Sequence, residues 1–387
     1  MASAALLSAC KTKQNNPDES SIAGLSSMLE LRNRIAEEEE SALAEYHRLI
    51  DRADRALSEG PYSVMNKKGV AASGDKHDYL SLAPYWWPDP DSPDGLPWIR
   101  KDGQVNPETR GDYTDFLEMR ECFRAISDLS RAYFYSGDKI YAEKAVQLLE
   151  NWFINPETRM NPNHDFAQAI PGLSNGRPAG TIEMGGIGGS MITSVRLLKK
   201  GGALPYESEI GFKTWLTDYL LWYQTSEVGL RAINDLHNNI GTMCDVKRIN
   251  ILIYLERIDE VKEILNDARE KRIAKHIEPD GKMPRELART KSFTYSTGNL
   301  RYLTRLASFG KKYDVDLWNF ESSDGRSIKK AYEFLIPYIA TDKEWEYQQI
   351  TSLGAAKTRF ANLLLHAGKE FDEPEYIEIA QNHLNRN

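Results

Sequence analysis

A helical spacing of apolar residues runs through almost the whole chain after Ser26. Apolar residues recur every three or four positions, which is the pattern of an amphipathic α-helix, and strand-like alternation is scarce. The predicted helices come in pairs with short links, which favours an all-α fold, an incomplete α/α toroid of six to seven helical hairpins, over a four-helix bundle. They cover Ser26–Leu57, Asp115–Tyr135, Lys139–Phe153, Gly186–Lys199, Glu207–Thr225, Asn239–Leu255, Val261–Lys275, Tyr295–Phe309, Ile328–Ile339, Ala355–Ala367 and Glu373–Asn387.

The composition indicates one globular body. Of the 387 residues, 41% are hydrophobic, which is enough for a sizeable core, and no shift in composition marks a second domain within residues 23–387. The net charge of −8 and the lack of a long basic run disfavour nucleic-acid binding, so a polyanionic ligand needs a local basic cleft. Cys10, Cys122 and Cys244 cannot make a disulfide framework, and no C-x-x-C pair indicates zinc. No apolar stretch approaches the ~20 residues of a membrane span.

The first residues resemble an export signal. The run L-S-A-C that ends at Cys10 has the form of a bacterial lipobox, in which the cysteine is lipidated after cleavage. A charged n-region is missing and the apolar core is short, so residues 1–10 are predicted to be a truncated lipoprotein signal, with a chance cysteine as the alternative. Residues 11–22 are predicted to be a flexible tether. This interpretation predicts an exported protein, either periplasmic or attached to the outer membrane.

Two long segments interrupt the helical pattern. Residues 60–113 are dense in proline, glycine, aspartate and aromatic side chains, and residues 155–183 are similar. Loops of this length inside a compact body are usually functional or disordered, and the aromatic content argues against disorder. We therefore expect both segments to line a cleft.

The first long loop carries the run S-G-D-K-H-D-Y-L-S-L-A-P-Y-W-W-P-D-P. Tyr85, Trp86 and Trp87 offer flat faces for sugar rings. Lys76 and His77 are candidates for holding an anion. The alternative for the three aromatic side chains is burial against the helices, because tryptophan is highly buried on average.

Two further runs are rich in side-chain amides. The second long loop contains N-P-N-H-D-F-A-Q-A-I-P-G and then N-G-R, which include Gln168 and Arg177. The run L-H-N-N-I-G-T-M-C-D-V, at the start of a predicted helix, contains His237, Asn238 and Asn239. These side chains are candidates for binding a substrate oxygen, and the alternatives are turn formation and helix capping.

A fourth run, P-R-E-L-A-R-T-K-S-F-T-Y-S, places Arg289 six residues before Tyr295, with Lys291 between them. A cation beside a tyrosine favours the phenolate and lowers a pKa that is ~10 when unperturbed. The alternative is an arginine on the surface and a tyrosine in the core.

Together the four runs resemble the alginate-lyase superfamily of α/α-toroid polysaccharide lyases, and are most similar to polysaccharide lyase family thirty-eight. The matching motifs occur in order between Ser73 and Arg305. They are D-K-H-D-Y-x-S-L-A-P-Y-W-W-P, N-F-A-Q-A-I-P-G (with Asp165 in place of the asparagine), N-N-H-G-T-W and L-A-R-T-x-S-x-x-Y. The resemblance implies an α/α toroid that cleaves β-1,4-linked uronans by β-elimination without a metal or other cofactor. The implied partner is an acidic polysaccharide, alginate or glucuronan, and we expect a monomer with no protein partner.

The resemblance also implies roles for individual residues. Tyr295 matches the catalytic tyrosine, Arg289 the arginine beside it, and Asn239 the amide that neutralises the substrate carboxylate. The catalytic histidine of the family follows that asparagine, but this chain has Ile240 there. His237, just before the helix, is the candidate to replace the missing imidazole in part.

The missing histidine affects which uronan the chain is expected to cleave. In β-mannuronate and β-glucuronate the carbon-5 proton and the leaving oxygen lie on the same face, so one tyrosine can act as both base and acid. In guluronate they lie on opposite faces, which needs a second group such as histidine. The leading prediction is therefore a lyase for mannuronate-rich alginate that works by syn elimination, with glucuronan as the nearest alternative substrate. A catalytically impaired uronan-binding protein and a glycoside hydrolase using Asp165 and Glu183 are the other classes.

Overall fold

The fold is taken from a computed structural model, which describes residues 24–386. The predicted signal with Cys10 and the predicted tether lie outside the described residues and stay predictions. None of the helices in the described range combines the length and the hydropathy that a membrane span requires. The α-helices are α1 (Leu25–Ala36), α2 (Glu40–Leu57), α3 (Phe116–Ser136), α4 (Lys139–Phe153), α5 (Ile192–Lys200), α6 (Tyr206–Thr225), α7 (Glu227–Asn234), α8 (Asn239–Tyr254), α9 (Ile258–Ala268), α10 (Pro284–Leu287), α11 (Ser292–Lys312), α12 (Ile328–Leu335), α13 (Pro337–Ala340), α14 (Leu353–Glu370) and α15 (Pro374–Arg386).

The remaining regular elements are short. Two strands, β1 (Trp86–Trp87) and β2 (Ile99–Arg100), pair antiparallel, with Trp86 opposite Arg100. Turns of 3₁₀-helix cover Val64–Asn66, Pro107–Arg110 and Pro178–Ile182, and π-helical turns cover Ile187–Met191 and Arg269–Ala274. The long loops predicted between helices are therefore present, with only these short elements inside them.

Most predicted helices are present, and the differences have local causes. The predicted helix from Ser26 to Leu57 is two helices, because the chain turns between them at Glu38, whose φ is 57°. The predicted helix that starts at Gly186 begins instead as a π-helical turn, in which Gly188 packs against α8. A Cβ on Gly188 would lie 2.9 Å from the Lys247 backbone, so a larger residue would push the two elements apart.

Consecutive helices pack as hairpins, as in the pairs α3–α4, α6–α7, α8–α9 and α14–α15. One continuous hydrophobic core joins them and encloses large side chains such as Trp152, Phe212 and Phe360. Helices α8 and α11 are distant in sequence but pack against each other. Their N-terminal ends carry Asn239 and Tyr295 and lie at the same end of the helix pair.

The two long loops are joined to each other. The Ala83 N–H donates to the Ala169 carbonyl at 2.9 Å, and the Gln168 N–H donates to the Ser81 hydroxyl at 2.7 Å. These hydrogen bonds hold the loops side by side above the ends of α8 and α11. The prediction that both loops line a cleft is confirmed.

Candidate active site

A cavity of ≈ 570 Å³ lies between the two long loops and the N-terminal ends of α8 and α11. It contains residues from all four runs singled out in the sequence. The lining residues are Pro84, Tyr85, Trp86, Arg100, Arg110, Phe116, Arg120, Gln168, Arg177, Ala179, Ile182, Glu183, Asn238, Asn239, Ile240, Arg289 and Tyr295.

The cavity is basic although the chain is acidic. Five of its lining residues are arginines and one is a carboxylate residue, Glu183. Such a local excess of positive charge attracts a polyanion despite the net charge of −8. Within residues 24–386 no group of three or more His, Cys, Asp or Glu side chains is placed to hold a metal ion.

Tyr295 lies in the first turn of α11, with its hydroxyl between two neighbours. Arg289 donates from Nη2 to the Tyr295 hydroxyl at 3.2 Å, and its guanidinium carbon lies 4.2 Å from the centre of the ring. The Tyr85 hydroxyl is 3.0 Å from the Tyr295 hydroxyl on the other side. A cation and a second hydroxyl therefore flank the proposed proton carrier.

Asp102, which no sequence motif indicated, holds Arg289 in place. Arg289 Nη2 donates to Asp102 Oδ1 at 2.8 Å, and the Thr290 N–H donates to Asp102 Oδ2 at 3.1 Å. Burial alone would raise the pKa of Asp102, but the hydrogen bonds from Arg289 and Thr290 hold it well below the usual range. Next to Asp102, Gly103 has a φ of 76°, and a Cβ there would lie 2.4 Å from Thr290 Oγ1. The D-G pair resembles an ordinary turn, so nothing in the sequence marked it as part of a site.

The pKa of Tyr295 is raised, although Arg289 acts on it in the predicted, lowering direction. Burial is the largest cause, and the hydrogen bond with Tyr85 adds to it. Arg289 acts in the opposite direction and is outweighed. Tyr295 therefore carries its proton at neutral pH, and the phenolate is the minor form.

Asn238 and Asn239 have different roles, one at the helix cap and one in the cavity wall. The Asn238 side chain accepts the Ile240 N–H at 3.0 Å, which makes it the N-cap of α8 and the capping interpretation correct for this residue. The backbone N–H of Asn239 donates to Glu286 Oε1 at 2.6 Å. The Asn239 side chain is therefore not used as a cap, and it lines the cavity.

Ile240 lines the cavity beside Asn239, at the position where the family pattern has histidine. No histidine within residues 24–386 is among the lining residues. His237 is not among the lining residues; it precedes the N-cap of α8, and its ring lies 6.3 Å from that of His276. The prediction that His237 partly replaces the imidazole therefore has no support in the geometry.

Gln168 and Arg177 belong to a chain of hydrogen bonds along one wall. Arg177 Nη2 donates to Gln168 Oε1 at 2.6 Å, and Gln168 Nε2 donates to Glu183 Oε1 at 3.3 Å. Burial lowers the pKa of Arg177 to about 10, which leaves it cationic at neutral pH. Gln168 has a φ of 51°, an uncommon conformation for a residue with a side chain, and such strain is often found at functional sites.

Three residues predicted to bind substrate lie away from the cavity. The Lys76 ammonium donates to a backbone carbonyl of its own loop at 2.9 Å, and His77 Nδ1 is 2.7 Å from a carbonyl of the second loop. Both side chains therefore stabilise the loops. Trp87 is adjacent to Trp86 on β1, and neighbouring strand residues point to opposite faces. Trp86 lines the cavity, whereas Trp87 donates to a backbone carbonyl at 3.2 Å.

Asp165 and Glu183 do not form the carboxylate pair of a hydrolase. Asp165 accepts hydrogen bonds from Trp222 at 2.9 Å and Ser226 at 2.6 Å and is not a lining residue. Glu183 is buried and accepts from Tyr79 at 3.1 Å as well as from Gln168. The arrangement gives no support to the hydrolase alternative.

The acidic sequence predicts a local basic cleft, but three of the cleft's arginines stand in none of the four motifs. Arg100 follows β1 on the paired strand, Arg110 ends a 3₁₀ turn, and Arg120 lies in α3. The Arg110 guanidinium carbon lies 3.5 Å from the centre of the Phe116 ring, which fixes this side chain against the cavity wall. Their only signal in the sequence was positive charge in or beside the first long loop of an acidic chain.

Known proteins match this chain in sequence and in structure. The sequence matches the family described as alginate lyase over residues 63–345. An alginate lyase from Bacteroides ovatus is 37% identical, with a TM-score of 0.85 and coverage of 94% of both chains. Alginate lyase A1-III from Sphingomonas species A1 is 16% identical, with a TM-score of 0.48 and coverage of 84% of this chain and 79% of that one. A variant of A1-III complexed with a tetrasaccharide is 15% identical, with a TM-score of 0.50 and coverage of 85% and 79%.

A comparison with curated protein sequences finds no match. The family match and the Bacteroides ovatus structure confirm the resemblance to alginate lyases and the predicted α/α toroid. The assignment to polysaccharide lyase family thirty-eight is compatible with these matches and stays a prediction.

Proposed function

The chain belongs to the alginate lyase family, which makes it a polysaccharide lyase, and from that premise we propose that it cleaves mannuronate-rich alginate by syn β-elimination. One observation carries the proposal. Tyr295, Arg289 and Asn239 line one basic cavity, and the position expected to hold an imidazole is occupied by Ile240. The cavity thus offers Tyr295 as an acid–base group and the donors that the substrate carboxylate needs.

The reaction requires three events around carbon-5 of the sugar. The carboxylate next to this carbon must be neutralised before its proton becomes acidic, and Asn239 and Arg289 supply the N–H donors. Tyr295, as phenolate, takes the carbon-5 proton, and the electron pair forms the carbon-4 to carbon-5 double bond. The bond from carbon-4 to oxygen then breaks, and the Tyr295 hydroxyl returns the proton to the leaving oxygen. Arg289, 3.2 Å from that hydroxyl, stabilises the phenolate while it exists.

The choice of sugar follows from the missing imidazole, which leaves Tyr295 as the proposed acid–base group. Syn elimination suits mannuronate, whose proton and leaving oxygen share a face. Glucuronate has the same arrangement, so glucuronan is the nearest alternative substrate. The presence of Ile240 also favours a second candidate function, an impaired protein that binds uronans without cleaving them.

Product analysis tests the reaction class. The protein is incubated with polymannuronate, and the mass of the oligosaccharides is measured. Elimination leaves an unsaturated end, so the two fragments together have the mass of the intact chain. Fragments that have gained one water between them would instead identify a hydrolase, and retention of intact polymer by folded protein would identify a binding protein.

Asn239→Ala and Arg289→Ala are each expected to lower kcat by about 10²-fold or more, because each removes a donor that acts on charge developing in the transition state. The KM is expected to change much less. Steady-state kinetics on polymannuronate measures both constants. Asn250→Ala in α8 and Arg301→Ala in α11 are matched controls outside the cavity. A change confined to KM would show that Asn239 and Arg289 only hold the substrate.

A further inference from the structure

A buried carboxyl group lies directly behind Asn239. Glu286, in α10, is 1% exposed, and its Oε1 accepts the backbone N–H of Asn239 at 2.6 Å. The other oxygen, Oε2, has no hydrogen-bond partner within the described residues, and neither does Asn239 Oδ1. Two residues joined by one hydrogen bond therefore each bury an acceptor that lacks a donor.

One proton satisfies both acceptors. Burying a polar atom without a partner is unfavourable, and these two acceptors belong to residues that one hydrogen bond already joins. A protonated carboxyl group is both acceptor and donor, so Glu286 can accept the backbone N–H through one oxygen and donate an O–H from the other. If Oδ1 of Asn239 is held in this way, the amide NH₂ points away from Glu286 and toward the cavity that Asn239 lines.

The surroundings favour the neutral acid. Burial raises the pKa of Glu286 to about 7, although the N–H that it accepts and the charge of Arg289 act in the opposite direction. Burial lowers the pKa of His276 to about 3 and also lowers that of His237, whose ring lies 6.3 Å from the His276 ring, so neither imidazole adds a positive charge near pH 7. Arg285 in α10 and Arg289, two residues after the end of α10, are the cations nearest to Glu286 in the sequence. Neither makes an ion pair with Glu286 within 4.0 Å.

We propose that Glu286 is a positioning residue that acts as a neutral carboxylic acid, donating its proton to Asn239 Oδ1 and so aiming the amide NH₂ at the substrate carboxylate. The proposal rests on the proposed function for the role of Asn239 in neutralising that carboxylate. It also explains why a carboxyl group that is 1% exposed is tolerated directly behind a cavity proposed to bind an acidic polymer. An ionised Glu286 would leave the amide free to turn its oxygen toward the substrate.

Two variants separate the neutral acid from an ionised one. Glu286→Gln keeps both hydrogen bonds, because its carbonyl accepts the N–H and its NH₂ donates to Oδ1. Glu286→Leu supplies neither. We expect kcat of the leucine variant on polymannuronate to fall about 10²-fold, which is the effect of one misplaced donor. The glutamine variant is expected to keep most of the wild-type kcat. As the pH rises through 7 the wild type should lose activity that the glutamine variant retains, since only the wild type has a proton to lose there.

The protonation of Glu286 can also be tested without substrate. The pKa of Glu286 is about 7 in the folded protein and ~4.3 in an unfolded chain, so unfolding releases this proton between those values. The free energy of unfolding of the wild type, relative to Glu286→Gln, should therefore fall as the pH rises from about 4.3 to 7 and then stay constant. Urea unfolding of both proteins over this range measures it.

The outcomes distinguish this proposal from the proposed function. An inactive wild type that shows the expected stability difference would overturn the function and leave the protonated Glu286 standing. A folded Glu286→Gln variant as inactive as Glu286→Leu, beside an active wild type, would overturn the positioning role. If the free energy of unfolding of the wild type relative to Glu286→Gln does not change with pH, Glu286 is not protonated in the folded protein and the proposal is wrong. This comparison does not need the Glu286→Leu variant, so it can be made even if that variant does not fold.

Discussion

Replacing Tyr295 by phenylalanine is expected to abolish turnover on polymannuronate. The change removes one oxygen and keeps the ring, so the packing of α11 is preserved. One acid–base group typically contributes ~10²–10⁴-fold, and the upper end applies here because the same hydroxyl takes and returns the proton. We expect kcat to fall about 10⁴-fold and the melting temperature to change little.

The matched control is Tyr302→Phe, which removes a hydroxyl from the same helix outside the cavity. Its activity should equal that of the wild type. Substantial activity in Tyr295→Phe would assign the proton transfer to another group. The first to test would then be Tyr85, whose hydroxyl lies 3.0 Å away.

Introducing histidine at position 240 is expected to create activity on polyguluronate. Ile240 lines the cavity next to Asn239, so an imidazole there faces the substrate. It supplies the base that anti elimination needs, and the expected gain is about 10²-fold or more. The gain on polymannuronate should be much smaller, because Tyr295 already serves the syn reaction. Initial rates on the two polymers measure the difference.

Ile240→Val is the control for altered packing at this site. Met243 and Cys244, one turn further along α8, are buried, so a side chain that turned inward would meet the core. An imidazole buried there without a partner would lower the melting temperature. A stable Ile240→His variant with unchanged rates on both polymers would show that position 240 does not act on the substrate.

The helices could be predicted where one face is continuously buried and the ends are marked. The predicted bounds of α4, Lys139 to Phe153, match the structure, and Asp138 caps its first turn. Helix α7 was missed because its eight residues are fewer than the window in which a 3.6-residue period is visible. It also follows α6 directly at Ser226, which caps it.

Only those residues of the site that stand in short sequence motifs could be predicted. Tyr295 and Asn239 stand in such motifs, and the structure places both in the cavity. Asp102 reaches Arg289 across 187 positions of the sequence, and no local pattern encodes that contact. Lys76 failed as a prediction for the same reason, because the path of the loop decides whether its ammonium meets the substrate or a backbone carbonyl.

The most direct test compares three polymers in one assay. The wild-type protein is incubated with polymannuronate, polyguluronate and glucuronan, and ultraviolet absorbance reports each unsaturated end as it forms. With Tyr295 as the acid–base group and no imidazole, absorbance should rise with polymannuronate and rise far more slowly with polyguluronate. The rate with glucuronan shows whether the protein distinguishes glucuronate from mannuronate, since both suit syn elimination. Cleavage of polyguluronate as fast as polymannuronate, or no absorbance change with any of the three, would contradict a syn lyase that works without the histidine.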